Sequence, residues 1–252
     1  NNIKLLFLSG FQGTGKTELI HLINHSLQEN ILSFYYECSE ITNLDDIILG
    51  LYSYLHKFIE KNTENIRADK HLAVKSIDEK LINLLKNLKL PIVIIFDGFE
   101  HLTEDRLNLS DSELLKFINF LLSLSGVKLV ISGRKVPSSG FNIGDNNILK
   151  IKLGGIQEDD TIKILNHRNI QASEQTISQI HRVTRGYPEN IHWIVCISNI
   201  LHVSPFEIIQ EYASKKESFE DFISKKAYQA LTDEYKNITW ILATIRHSVT
   251  KN

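Results

Sequence analysis

Methionine is absent and cysteine nearly so: the chain of 252 residues has no Met and two Cys, Cys38 and Cys196. Two thiols cannot build a disulfide framework or a cysteine-rich zinc site. They fit a reducing compartment, so the cytoplasm is the expected location. Asn1 to Ser9 carry neither a basic leader nor a small-residue cleavage pattern, and a sequence without Met reads as a segment cut from a longer protein. Long apolar runs are missing as well. The best stretch, Ile191 to Val203, is interrupted by His192, Ser198, Asn199 and His202, short of the roughly 18 to 20 apolar residues of a membrane helix, so no membrane partner is expected. An excess of one charge is also missing, with 28 Lys and Arg against 30 Asp and Glu. The resulting net charge of -2 argues against direct nucleic-acid binding, and the pairs Lys215-Lys216 and Lys225-Lys226 lie among acids as on a solvated helix face. What the chain does have is 42% hydrophobic residues, enough for a packed core.

The apolar residues fall into an alternating order. Ile3 to Ser9 reads as a buried strand and Thr17 to Leu27 as the helix it feeds. Ile31 to Cys38 reads as a second strand, followed by a helix that opens on Asn43, Asp45 and Asp46. Val74 to Leu88 has helical spacing, and Pro91 opens the strand Ile92 to Phe96, a position where a missing N–H costs the ladder little. Ser110 and Glu113 form a capping box before the helix Leu114 to Leu124. Strands Val127 to Ser132 and Ile148 to Leu153 complete a set of five, which predicts an α/β domain with a mainly parallel sheet over residues 1–153. After Gly155 the strand signal stops. Helices are expected at Glu158 to Arg168, Ser173 to Thr184, Pro188 to Leu201 and Pro205 to Ala213, the last capped by Ser204 with Glu207 at N3. Phe219 to Ile245 is again helical in pattern.

Between the first strand and the first helix stands Gly10-Phe11-Gln12-Gly13-Thr14-Gly15-Lys16-Thr17, the P-loop pattern G-x-x-x-x-G-K-[ST] in the context it requires. Gly10, Gly13 and Gly15, with Thr14 among them, let successive N–H groups converge on phosphate oxygens at a helix N-terminus. Lys16 would reach the β- and γ-phosphates, and the Thr17 hydroxyl would ligate Mg²⁺. The metal needs a second anionic oxygen, and Asp97, at the end of the buried run Ile92 to Phe96, is the Walker B candidate. Gly98 stands where a general base commonly follows, so the next acid, Glu100, becomes the candidate to orient the attacking water. An ordinary solvated Glu explains that residue equally well. Arg134, beyond the strand Val127 to Ser132, is placed to sense a γ-phosphate. Arg185 and the turn Gly186-Tyr187-Pro188 lie farther on, a solvated Arg and a helix-helix turn unless they cover the nucleotide. His21 and His25 share a helix face without a third ligand, and Ser132, Ser138 and Ser139 lack the elbow of a nucleophile, so neither group earns a catalytic role.

Taken together, GFQGTGKT, IVIIFDGFEHL, KLVISGRKVP and RGYPENI resemble, in this order and spacing, the STAND-class signalling ATPases related to NB-ARC and NACHT proteins. The resemblance implies a P-loop nucleotide-binding domain over 1–153, a helical lid over 154–215 and the start of a winged-helix domain over 216–252. It implies a sensor strand between the P-loop and Walker B strands, with Pro188 against the base or sugar. It also implies ATP or ADP with Mg²⁺ as cofactors, an ADP-bound closed state, and an ATP-bound state that oligomerises with its own kind. Slow hydrolysis, effector and sensor regions outside this sequence, and an unknown activating ligand belong to the same picture. The sequence departs from that pattern at Gly98, and the histidine motif late in a winged helix is expected to lie beyond Asn252. Two other readings are an AAA+-type cycling ATPase acting on DNA or protein, and a small-molecule kinase, which would need a lid arginine cluster.

Overall fold

The computed structural model describes residues 2–27, 31–62, 77–88, 90–102, 113–135 and 140–240. These form two compact units, Asn1–Leu153 and Gly154–Asn252.

The first unit is a five-stranded parallel sheet with helical crossovers. Its elements run β1 (Leu5–Gly10), α1 (Lys16–Leu27), β2 (Leu32–Glu37), α2 (Leu44–Asn62), α3 (Ile77–Asn87), β3 (Ile92–Asp97), α4 (Glu113–Ser123), β4 (Val127–Gly133) and β5 (Ile148–Leu153). Strand order is β2-β3-β4-β1-β5. β4, which leads to Arg134, thus lies between β1 and β3, which ends at Asp97, the strand placement the resemblance implied. Each predicted strand is present within two residues of its expected ends; β1 to β4 are short, largely apolar runs, whereas β5 interleaves Lys150 and Lys152 with its apolar residues and is mostly exposed. The predicted capping box at Ser110 lies outside the described residues, as does the start of the helix expected from Val74. At the start of α2 the cap is reciprocal: the Asp46 N–H donates to Asn43 Oδ1 at 2.9 Å and the Asn43 N–H to Asp46 Oδ2 at 3.2 Å.

Strand alternation divides the core into two layers. Ile92, Ile94 and Phe96 of β3 join Leu5, Phe7, Leu129 and Ile131 on the side packed by α2, α3 and α4. Val93 and Ile95 join Leu8, Val130 and Ile20 of α1 on the other side. Every residue of β3 is buried, as a central parallel strand covered on both faces must be. Asp97 ends that strand, so a carboxylate is carried into a buried environment by the surrounding apolar run.

The second unit is helical: α5 (Glu158–His167), α6 (Glu174–Thr184), α7 (Pro188–Leu201), α8 (Pro205–Ala213) and α9 (Phe219–Ala230). A further helical stretch covers 233–240. Ile180, Ile191, Ile194 and Ile197 are fully buried in its core. Phe219, Phe222 and Ile223 of α9 share that core with α5 to α8, and the Tyr212 and Phe219 rings meet edge to face at 5.4 Å. The Ser204 cap accepts from the Glu207 N–H at 3.2 Å, as the sequence predicts. Among the described residues no single helix is long and apolar enough to cross a membrane.

Candidate nucleotide site

Gly10 to Thr17 link the C-terminal end of β1 to the first turn of α1. Gly13 and Gly15 have φ of 80° and 86°, a left-handed conformation that a side chain would strain. Gly10 is required for a different reason: a Cβ there would lie 2.8 Å from both Leu153 O and Thr14 Oγ1. The buried Thr14 hydroxyl braces the loop by donating to Phe11 O at 2.8 Å. Lys16 Nζ donates to Gly10 O and Phe11 O, each at 2.9 Å, which curls the ammonium back along the loop.

Sheet register brings the acid to this loop. Val93, Ile95 and Asp97 alternate onto the α1 face of β3, and Val130 and Ser132 alternate onto the same face of β4. The pairing Phe96↔Ile131, carried one residue further, sets Asp97 level with Ser132. The Asp97 carboxylate accordingly accepts from the Ser132 hydroxyl at 2.6 Å and the Gly98 N–H at 3.1 Å on Oδ1. On Oδ2 it accepts from the Thr17 hydroxyl at 2.8 Å, with the Tyr35 hydroxyl a marginal 3.5 Å away. Thr17 and Asp97, far apart in sequence, therefore share one hydrogen bond at the mouth of the P-loop. Together they offer hydroxyl and carboxylate oxygens, the hard donors that Mg²⁺ prefers. Among the described residues no three His, Cys, Asp or Glu side chains cluster to hold a metal by themselves. A cation here would thus lean on phosphate and water oxygens, as nucleotide-bound Mg²⁺ does. The donor set fits it.

Gly98 has a φ of 72°, and a Cβ on it would stand 2.9 Å from Cys38 O. The missing second acid thus has a backbone cause: this turn admits glycine. Glu100 follows in the 3₁₀ turn Phe99–Leu102 and is buried, 6% exposed, so it is not an ordinary solvated glutamate. Arg134 Nε lies 3.4 Å from Glu100 Oε1, while the rest of the guanidinium side chain is half-exposed. A Cβ at Gly133 would stand 2.6 Å from Glu100 Oε2, so the glycine lets the acid approach the strand. Three consecutive residues, Ser132, Gly133 and Arg134, are therefore fitted to the two acids of the β3 turn.

Anionic surroundings show in two neighbours. Burial, and then the charge of Asp97, push the Tyr35 phenol up to about 12. Burial, and then Asp97 and Glu100, push the Cys38 thiol up to about 12. The structure brings Gly10, Gly13, Thr14, Gly15, Lys16, Thr17 and Asp97 to one end of the sheet, with Glu100 and Arg134 paired beside them. Pro188 belongs to the second unit, as the first residue of α7, preceded by Gly186 with φ of 67°. Sequence reading missed Ser132 as a partner of Asp97 and set it aside as a failed nucleophile. Its signal was a hydroxyl directly after the apolar run Leu129-Val130-Ile131, one residue beyond the last buried isoleucine.

Known structures share this architecture. A STAND (signal transduction ATPase with numerous domains) protein with a tetratricopeptide repeat sensor, from Pyrococcus horikoshii, superposes with a TM-score of 0.57 at 15% identity, over 96% of this chain and 33% of that one. A Walker-type ATPase of Pyrococcus abyssi gives a TM-score of 0.59 at 15% identity, over 99% of this chain and 73% of that one. The chain thus spans a third of the length of the STAND protein. At such identities the likeness is one of fold. No curated protein matches the chain. The profile of the AAA domain matches residues 2–135, which hold the P-loop, Asp97, Glu100 and Arg134. By that match, across more than half its length, the chain belongs to the AAA domain family of P-loop nucleoside triphosphatases.

Proposed function

We propose that the chain is the nucleotide-operated module of a STAND-type signalling ATPase, of the NB-ARC and NACHT kind, working in the cytoplasm. It holds Mg²⁺ with ADP in a closed state, and exchange for ATP allows assembly with further copies of itself. Output and activation then come from effector and sensor regions outside this sequence and from an unidentified activating ligand. The observation that carries the reading is the 2.8 Å hydrogen bond between Thr17 and Asp97, which joins the P-loop to the acid of the buried strand. Fold likeness to a STAND protein over nearly the whole chain supports it further. In this reading residues 154–215 act as a lid with Pro188 against the base or sugar, and 216–252 begin a winged helix whose first helix, α9, packs into the core of the lid helices.

The residues divide the work. Gly10 to Gly15 cradle phosphate oxygens with backbone N–H groups, and Lys16 exchanges the Gly10 and Phe11 carbonyls for phosphate. Thr17 and Asp97 would hold Mg²⁺, which supplies charge neutralisation on the phosphates. Glu100 orients the attacking water. Its pairing with Arg134 and its place beyond the Gly98 turn keep hydrolysis slow, and Arg134 turns to the γ-phosphate when ATP is present. A second reading, a cycling ATPase of the AAA+ type, is favoured by the AAA domain match itself. The two part on a single comparison of mass and turnover. Light scattering of the protein loaded with Mg²⁺ and either ADP or a non-hydrolysable ATP analogue is expected to give a monomer and an oligomer, respectively. Equal masses together with rapid multiple-turnover hydrolysis would favour the cycling ATPase and end the switch reading.

A further inference from the structure

We propose that Ser132 is a positioning residue for Mg²⁺-dependent nucleotide binding, acting through Asp97; the inference rests on the nucleotide reading above. Ser132 is fully buried, so its hydroxyl has no water to turn to, and it donates to Asp97 Oδ1 at 2.6 Å. The Gly98 N–H takes a second place on the same oxygen at 3.1 Å. Both donors are fixed, one on β4 and one in the backbone of the turn after β3. The other oxygen, Oδ2, faces Thr17 at 2.8 Å. The carboxylate is therefore divided: Oδ1 is anchored by the protein and Oδ2 is presented beside the hydroxyl that would share the metal. An aspartate anchored at one oxygen cannot swing about its last bond, so the Thr17–Asp97 pair keeps a single cation-facing edge. Register fixes this arrangement, since Ser132 and Asp97 stand level on neighbouring strands and on the same face. Tyr35, at 3.5 Å, is at the limit of a hydrogen bond and contributes little to the anchoring.

The test measures binding of a fluorescent ADP analogue to wild type, Ser132→Ala and Ser132→Thr, each in excess Mg²⁺ and in EDTA, with thermal melting of each protein. Wild type is expected to bind more tightly with Mg²⁺. Ser132→Ala is expected to lose about tenfold of that Mg²⁺-dependent gain, the scale of one hydrogen bond to a charged group, while its affinity in EDTA is unchanged. Ser132→Thr, which retains the hydroxyl, is expected to recover most of the gain. An equal loss in Mg²⁺ and EDTA would show a merely structural serine and overturn the proposal. So would a Ser132→Ala protein indistinguishable from wild type, or a well-folded Ser132→Thr no better than Ser132→Ala. A wild type that binds the analogue in neither condition would overturn the nucleotide reading, and this proposal with it; a wild type that binds while the serine variants fail the pattern would overturn this proposal alone.

Discussion

Cys38 and Cys196 carry the same side chain into opposite surroundings. Cys38 is buried behind the β3 turn, where burial and the acids Asp97 and Glu100 hold its thiol protonated. Cys196 is partly exposed on α7, with its Sγ 3.3 Å from His192 Nε2. A disulfide-exchange reagent is expected to label Cys196 in the native protein and Cys38 only after unfolding; prompt labelling of both would contradict the packing of the turn. Raised values also set a pH dependence. The Cys38 thiol moves from 9.0 to about 12 and the Tyr35 phenol from 10.0 to about 12, so above the lower values the folded state keeps protons the unfolded chain has lost. Their contribution to stability is complete below about pH 9 and is lost as pH rises toward about 12. Melting temperatures are expected to fall across that alkaline range, with Cys38→Ala flattening the lower part of the fall. Glu100 gives a kinetic prediction: Glu100→Gln should leave nucleotide affinity within about twofold and slow hydrolysis by about 100-fold or more, the usual scale for a general base. Unchanged turnover would remove the catalytic role. At this scale the P-loop was fully readable, because its residues are consecutive and their spacing is the mechanism. Ser132 was not, because its partner Asp97 lies 35 positions away and only strand register makes them neighbours.

Elements were legible where one local pattern decides them. Ser204 followed by Pro205 and Glu207 announced a helix start, and the serine caps α8 as expected. Ser204→Ala should cost about 1 kcal/mol in denaturant unfolding, the ordinary worth of an N-cap. The turn after β3 is the opposite case. From sequence, Gly98 looked like a lost catalytic acid, whereas its φ of 72° and the closeness of Cys38 O show a backbone that excludes a Cβ. Gly98→Asp therefore does not restore a catalytic acid. It is expected to destabilise the fold by about 1–3 kcal/mol, measured by urea unfolding, through left-handed strain and crowding of the β2 end. A variant as stable as wild type, with faster hydrolysis, would refute that account. Glu100 shows the same limit: no local signal distinguishes a solvated glutamate from one buried against a glycine on another strand and paired with Arg134.

At the scale of the whole chain, the alternation of strand and helix patterns ends at Leu153, and the first compact unit ends at the same residue. Each unit has its own core, that of the first split by the sheet into two layers and that of the second gathered from five helices. Sequence pattern could assign helices beyond Gly154 but not their grouping: α9 looks by position like the start of another domain, yet its phenylalanines enter the core of α5 to α8. Strand order, too, is a property of long-range pairing: the place of β4 between β1 and β3 was reached through the motif resemblance rather than through periodicity, and the edge places of β2 and β5 were not reached at all. The central claim remains that this fold holds a nucleotide at Lys16, Thr17 and Asp97. It is tested most directly by denaturing the purified protein and identifying by chromatography what wild type and Lys16→Ala release. The account predicts ADP from wild type, close to one per chain, and none from Lys16→Ala. A wild type that releases no nucleotide and takes up neither ADP nor ATP with Mg²⁺ would contradict it.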